Sequence, residues 1–146
     1  MTTRLNIQEK EPQAYKAMYA LEAYLAGSQL SKSHKELLKI RASQINGCAF
    51  CIDMHTKDAL KQGETTQRIF LLNAWRETDL FTEEEKAVLA LTEEVTLIHQ
   101  QGLSDATYAK VQQFFDDNYI SQLIMAVATI NAWNRIAISS RTAVPK

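Results

Sequence analysis

The only two cysteines in the 146-residue sequence stand three positions apart, as Cys48-Ala49-Phe50-Cys51. His55 follows Cys51 by four positions, and Glu36 precedes Cys48 by twelve. Two thiols at this spacing can close into a small disulfide, and a histidine one helical turn away can accept or hold a thiol proton. These residue types and spacings predict a redox site.

The spacing of the three sulfur and imidazole groups is helical. At about 100° per residue, Cys48, Cys51 and His55 fall within roughly 60° of one another on a helix, so they share one face. Cys48 at the start of that helix would feel the positive end of its dipole, which favours thiolate. Cys51 lies one turn before His55, which makes His55 its candidate general base. Spacing alone leaves open which cysteine is the nucleophile.

Two carboxylates are candidates to assist His55. An Asn46-Gly47 turn could fold the preceding helix back along the cysteine helix and bring Glu36 towards the thiols, a tertiary contact that sequence spacing alone does not establish. Glu36 is also the fourth residue of Ser33-His34-Lys35-Glu36, which fits a capping box, so a purely structural role is the alternative. Asp58 continues the cysteine face one turn past His55 and would either orient that histidine or lie on the surface.

The elements that must position these residues are helices. The sequence has four glycines and two prolines, and apolar residues recur at three- and four-residue intervals without sustained strand alternation. We expect an all-α protein with an N-terminal arm over 1–10 and a single domain over 11–146. About seven helices are predicted: Pro12 to Gly27, Ser31 or Ser33 to Asn46, Cys48 to Gln62, Thr65 or Thr66 to Glu77, Thr82 to Gly102, Ser104 to Phe115, and Tyr119 to Ser139.

The last predicted helix is mostly apolar, which predicts that it is buried centrally or shared with a neighbouring subunit. Its Asn134-Arg135 pair needs partners in a buried hydrogen-bond network, a subunit contact or the edge of the site. His34 and His99 are expected on solvated helix surfaces. Three tyrosines with helical spacing are expected in the core or an interface: Tyr15, Tyr19 and Tyr24.

Composition excludes several classes of partner. Sixteen basic and seventeen acidic side chains give a formal charge of −1, so no global attraction to nucleic acid or an anionic membrane is expected. No apolar stretch is long enough to span a bilayer, and the first residues show no signal-peptide pattern. We expect a cytoplasmic protein. Thiols are kept reduced there, so a Cys-x-x-Cys pair is more often catalytic or metal-binding than structural.

Two other classes of function compete with a redox enzyme. Zinc could take Cys48, Cys51, His55 and Glu36 as ligands, although about 10 Å of axial rise separates Cys48 from His55 on one continuous helix. Alternatively, the thiols could belong to a non-catalytic, redox-sensing oligomeric scaffold, in which oxidation happens once and is not turned over.

Residues 43–55, SQINGCAFCIDMH, together with Glu36, resemble the signature of the carboxymuconolactone decarboxylase superfamily, specifically its alkylhydroperoxidase AhpD-like branch. The resemblance continues at Lys57-Asp58-Ala59, Gly63 and Ala132-Trp133-Asn134-Arg135, and so covers most of the chain beyond the arm. It implies an all-helical, AhpD-like bundle that assembles as a trimer or hexamer.

The resemblance also implies residue roles. Cys51 would attack a hydroperoxide and become a sulfenic acid, Cys48 would capture it as a disulfide, and His55 and Glu36 would relay protons. An external thiol or dithiol would restore the thiols, and no cofactor is required. This chain departs from the founding peroxidases at Phe50, where they carry a histidine, so Phe50 is expected to be an apolar pocket wall. The decarboxylase reaction is not implied, because those enzymes lack the thiol pair in this role.

Overall fold

The structure, a computed structural model, describes residues 2–145. Over that range the chain forms nine α-helices and one 3-10 helix, with no β-strand, so the predicted all-α class is confirmed. The elements are α1 Ile7–Lys10, α2 Pro12–Ala26, α3 Lys32–Asn46, α4 Ala49–Lys61, α5 Thr66–Leu71, a 3-10 helix Leu72–Glu77, α6 Glu83–Thr96, α7 Ile98–Gln101, α8 Asp105–Gln112 and α9 Asp117–Ser140.

Helix α3 is the centre of the bundle and packs against α4, α6 and α9. Leu38 faces the larger hydrophobic cluster, which contains Val88 of α6 and Leu123 of α9, and all three side chains are fully buried. Leu37 faces a second cluster around Leu72. Each such burial contributes roughly 1.5–3 kcal/mol, so contacts on several sides fix the orientation of α3.

Capping residues explain where α3 begins. Ser31 is the N-cap, because its hydroxyl accepts the backbone N–H of His34 at 3.1 Å. Ser33 lies inside the helix, and its hydroxyl donates to Glu85 at 3.2 Å. The capping box predicted from Ser33 to Glu36 is therefore wrong, and the Glu36 carboxylate is not used to cap a helix.

A capping box is present at the start of α6. The Thr82 hydroxyl accepts the backbone N–H of Glu85, and the Glu85 carboxylate accepts the backbone N–H of Thr82. The helix predicted to run from there to Gly102 is interrupted at Leu97, whose φ of −95° and ψ of 37° are not helical. This interruption separates α6 from α7.

The predicted arm contains a one-turn helix, α1, whose N-cap Asn6 accepts the backbone N–H of Glu9. The outer limits of the predicted arm and domain, Met1 and Lys146, lie outside the described residues. The division into arm and domain stays a prediction.

Helix α9 is the longest element and buries one face in the bundle centre, as predicted. Its N-cap is Asp116, which accepts the backbone N–H of Tyr119 at 2.8 Å. Met125 and Ile138 on the same helix remain exposed. Within residues 2–145, no helix is long and apolar enough to cross a membrane.

His34 corrects one prediction about the surface. Its side chain is buried, and its Nδ1 lies 2.7 Å from the hydroxyl of Tyr119. The ring packs edge-on against Phe115 and Tyr119. Nothing near His34 in the sequence indicates this burial, because the aromatic residues that cover its ring lie more than 80 positions away. His99 is exposed, as predicted.

Candidate active site

A tight turn between α3 and α4 presents the two cysteines. Gly47 has a left-handed φ of 71°, a conformation that glycine adopts without steric cost. The next backbone N–H, that of Cys48, returns to the carbonyl of Ser43 at 3.0 Å. Cys48 thereby becomes the N-cap of α4, and its sulfur accepts the backbone N–H of Cys51 at 3.3 Å.

Cys48 and Cys51 are joined by a disulfide, with their Cα atoms 5.3 Å apart. Both residues are almost completely buried, with 1% and 2% of their surfaces exposed. They differ in their surroundings, because Cys51 lines a cavity and Cys48 is not part of its wall. A small molecule in the cavity would therefore meet Cys51 and not Cys48.

His55 and Glu36 meet across the α3–α4 packing, a contact that the Asn46-Gly47 turn allows. Nδ1 of His55 lies 3.1 Å from Oε2 of Glu36, and both side chains are largely buried. A carboxylate only accepts hydrogen bonds, so Nδ1 is the protonated nitrogen in this pair. In the neutral ring Nε2 is then left with the basic lone pair. His55 lines the same cavity as Cys51.

A network of side-chain amides holds the turn against α9. The amide nitrogen of Asn46 donates to Asn131 at 3.0 Å and to Asn134 at 2.8 Å. Asn134 is fully buried and donates in turn to the hydroxyl of Ser43 at 3.0 Å. Of the three options considered for Asn134, the structure supports the buried network. Arg135 is exposed and bonds only to Asn131 of its own helix within the described chain.

The cavity beside Cys51 has a volume of about 590 Å³ and mostly apolar walls. Phe50 is part of that wall, as predicted, together with Met54 and Ile130. Tyr15 and Trp133 meet edge to face there, with ring centroids 5.3 Å apart. Burial raises the pKa of Tyr15, so its phenol is neutral at physiological pH. The cavity is suited to an apolar ligand that is larger than hydrogen peroxide.

Sequence reasoning did not find two parts of this cavity. The first is the arm, since residues 5–8 and Thr3 form part of the wall and Arg4 donates its backbone N–H to the carbonyl of Ser140 at 2.9 Å. The second is a polar cluster in which Glu22 accepts hydrogen bonds from Lys39 and from the indole of Trp133. Neither has a sequence motif, because both depend on contacts between distant parts of the chain.

Several remaining candidates are outside the chemistry. Asp58 touches the cavity, but its carboxylate pairs with Lys61 at 3.1 Å and is about two-fifths exposed. Tyr24 is about half exposed. Among the described residues, no three side chains of histidine, cysteine, aspartate or glutamate are grouped so that they could hold a metal ion.

The fold and this site together define a family. Residues 12–94, more than half of the chain, match the model of the carboxymuconolactone decarboxylase family. The protein belongs to that family.

Two relatives narrow the assignment. The uncharacterized protein YdfG of Bacillus subtilis strain 168 is 45% identical over 139 residues, which is 95% of each chain. A crystal structure from Agrobacterium tumefaciens superposes with a TM-score of 0.97 at 41% identity and covers 99% of both chains. That protein is of unknown function, and antioxidant defence protein AhpD has been suggested as its identity. These likenesses assign the chain to the AhpD-like branch of the family.

The fold alone does not decide the reaction. The debrominase Bmp8 superposes with a TM-score of 0.83 at 16% identity, over 94% of this chain and 74% of its own. The reaction must therefore be argued from the residues of the site.

Proposed function

We propose that this protein is a thiol-dependent peroxidase that reduces hydroperoxides at Cys51. The two thiols supply two electrons and are oxidised to the Cys48–Cys51 disulfide. The observation that carries the proposal is the position of Cys51 on an apolar cavity, one helical turn from a histidine that is paired with a buried carboxylate. The antioxidant role suggested for the Agrobacterium relative supports the same reaction class.

In the first step, Nε2 of His55 accepts the thiol proton of Cys51. Glu36 stabilises the imidazolium that forms, because its carboxylate already accepts the Nδ1 proton. The thiolate then attacks the terminal oxygen of R–O–O–H. A sulfur–oxygen bond forms, the oxygen–oxygen bond breaks, and the products are the Cys51 sulfenic acid and the alkoxide R–O⁻, which takes up a proton to become the alcohol.

In the second step, the Cys48 thiolate attacks the sulfur of the Cys51 sulfenic acid. Hydroxide leaves and is protonated to water by the imidazolium of His55, and the disulfide closes. Overall, two thiols and one hydroperoxide give one disulfide, one alcohol and one water. Cys48 is suited to this role because the backbone N–H of Cys51 already points at its sulfur and stabilises its thiolate.

The same geometry sets the direction of re-reduction by an external thiol or dithiol. The reductant enters through the cavity and attacks the sulfur of Cys51, because Cys51 is the cysteine that lines this cavity. Cys48 is then the leaving group, and the N–H that points at its sulfur lowers the energy of the departing thiolate. A reducing compartment such as the cytoplasm supplies the thiol donors that this cycle needs.

The proposal includes assembly into a homo-oligomer, a trimer or a hexamer. Phe70 on α5 has 76% of its surface exposed, and Leu60 lines the same shallow groove. Exposed large apolar side chains of this kind are typical of subunit contacts. Sedimentation velocity on wild type and Phe70→Asp tests this, because the variant should sediment as a smaller species. An unchanged oligomer would place the interface elsewhere.

Turnover is the test of the peroxidase proposal. Reduced protein is mixed with a hundredfold excess of tert-butyl hydroperoxide and dithiothreitol, and the loss of hydroperoxide is followed. We expect many equivalents to be consumed per protein chain, and Cys51→Ser should consume none above background. Consumption of a single equivalent would favour the redox-sensing scaffold instead. A stoichiometric zinc ion in protein purified in the reduced state would favour the metal-site alternative.

A further inference from the structure

Lys39 lies on α3 one turn after Glu36, and its side chain is only 11% exposed. It lines the same cavity as Cys51 and His55. No other lysine or arginine contributes to that cavity wall among residues 2–145. A buried ammonium group in a mostly apolar wall is costly, since an apolar side chain would fill the same place without losing hydration.

A single carboxylate, that of Glu22, holds the ammonium group of Lys39. Its Nζ donates to Oε2 of Glu22 at 3.3 Å, and Oε1 of Glu22 accepts the indole N–H of Trp133 at 3.0 Å. This is the only hydrogen bond of Nζ to the described part of the chain. An ammonium group has three N–H donors, so two are left for a molecule in the cavity or for water.

We propose that Lys39 is the proton donor to the leaving oxygen of the hydroperoxide, an inference that rests on the peroxidase function proposed above. As the thiolate of Cys51 attacks, the oxygen–oxygen bond breaks and the electron pair leaves on R–O⁻. One N–H of Lys39 transfers its proton to that oxygen, giving R–OH and a neutral amine. The amine regains a proton from solvent, which receives the proton that Cys48 releases when it ionises.

The chemistry of the cavity explains why a separate donor is useful. An alkoxide is a poor leaving group, and an apolar wall offers it no stabilisation. The proton on His55 came from Cys51 and is needed again when hydroxide leaves the sulfenic acid. Lys39 supplies a second proton and a positive charge in the same cavity.

The test compares two oxidants that differ in their demand for a proton. tert-Butyl hydroperoxide releases an alkoxide, whereas peracetic acid releases acetate, a stable anion that needs no proton. The rate of thiol loss in a single turnover is measured for wild type and Lys39→Met. We expect a loss of about 100-fold with tert-butyl hydroperoxide and of less than about threefold with peracetic acid, in keeping with general acid catalysis.

Matched controls separate this role from damage to the fold. Lys57→Met removes an exposed lysine of α4 that pairs with Asp53, and it should react like wild type with both oxidants. Alkylation of Cys51 by iodoacetamide needs no proton donor, so its rate in Lys39→Met measures any change in the Cys51 thiolate, and this change should be much smaller than the loss with tert-butyl hydroperoxide. The double variant Glu22→Gln/Lys39→Met leaves no unpaired carboxylate and should reproduce the selective loss of Lys39→Met.

Different outcomes would refute the role of Lys39 and the peroxidase function. Equal losses with both oxidants would refute the proton-donor role, and so would a slower reaction with iodoacetamide that accounts for the whole effect. A wild-type protein whose thiols react with neither oxidant would refute the peroxidase function itself, and this inference with it.

Discussion

The protein has two buried histidines that differ in what surrounds them. His34 is 8% exposed and His55 is 6% exposed. His34 meets the phenol of Tyr119 inside an aromatic cluster, whereas His55 meets the carboxylate of Glu36 and lines the same cavity as Cys51. Burial is the same in both cases. His55 is a candidate base because it has a carboxylate partner and lines a cavity. His34 is a packing residue, because its partner is a phenol inside an aromatic cluster.

The partners have opposite electrostatic consequences. A carboxylate balances the positive charge of an imidazolium that forms beside it during a reaction. A neutral phenol gives no such compensation. Burial lowers the pKa of His34, and the nearby carboxylates of Glu85 and Glu84 only partly oppose this effect.

The largest contrast should come from removing each imidazole. His55→Asn should slow oxidation of Cys51 by about 10²-fold to 10⁴-fold, the usual contribution of a general base. His34→Asn should leave the rate within about twofold of wild type. Single-turnover thiol loss at pH 7 measures both. Similar losses in the two variants would mean that access to the cavity does not distinguish the histidines.

The packing role of His34 should appear in the stability of the fold. His34→Gln removes a buried hydrogen bond to Tyr119 and an edge-on aromatic contact, so it should lower the free energy of unfolding by about 1–3 kcal/mol. His99→Gln, at an exposed position, should change it by less than about 0.5 kcal/mol. Urea denaturation at pH 7 gives both values. An unchanged stability in His34→Gln would contradict the packing role.

The carboxylate partner is tested by Glu36→Gln. The amide keeps a hydrogen-bond acceptor for Nδ1 but cannot neutralise an imidazolium, so the rate should fall on the order of tenfold, less than for His55→Asn. Glu84→Gln, an exposed carboxylate on α6, is the matched control and should react like wild type. If Glu36→Gln reacted at the wild-type rate, the role of Glu36 would be structural only.

The smallest effect is a pH dependence of stability. Because the pKa of His34 is lowered in the folded protein, the unfolded chain binds a proton more readily once the pH falls below about 6.5. The stability that the neutral ring contributes is therefore present above that pH and is lost progressively as the pH falls towards the folded-state pKa. Between pH 7 and pH 5, wild type should lose more stability than His34→Gln. Parallel losses would assign the effect to other groups.

The same two histidines show what the sequence can predict. Cys51 and His55 are four positions apart on one helix, so local periodicity was sufficient to place them together. The position of Glu36 depends on one further step, the folding of α3 back along α4 at the Asn46-Gly47 turn, which spacing alone leaves open and the structure shows. These are short-range relations within one pair of helices.

Relations across the bundle were not predictable in this way. His34 was wrongly assigned to the surface because its phenol partner comes from α9, 85 positions away. The indole of Trp133 reaches Glu22 across 111 positions, so nothing near Lys39 in the sequence indicates that it lies at the cavity. The wall contributed by the arm likewise depends on the contact between Arg4 and Ser140. Tertiary packing, which single-sequence patterns do not contain, decides all three.

The most direct test of the central claim is to identify the sulfur that is oxidised first. Fully reduced wild type, Cys48→Ser and Cys51→Ser each receive one equivalent of tert-butyl hydroperoxide, and intact masses are followed with time. We expect wild type to lose two hydrogens, Cys48→Ser to gain one oxygen and Cys51→Ser to keep its mass. A gain of oxygen in Cys51→Ser, with Cys48→Ser unchanged, would contradict the assignment of Cys51 as the attacking thiolate.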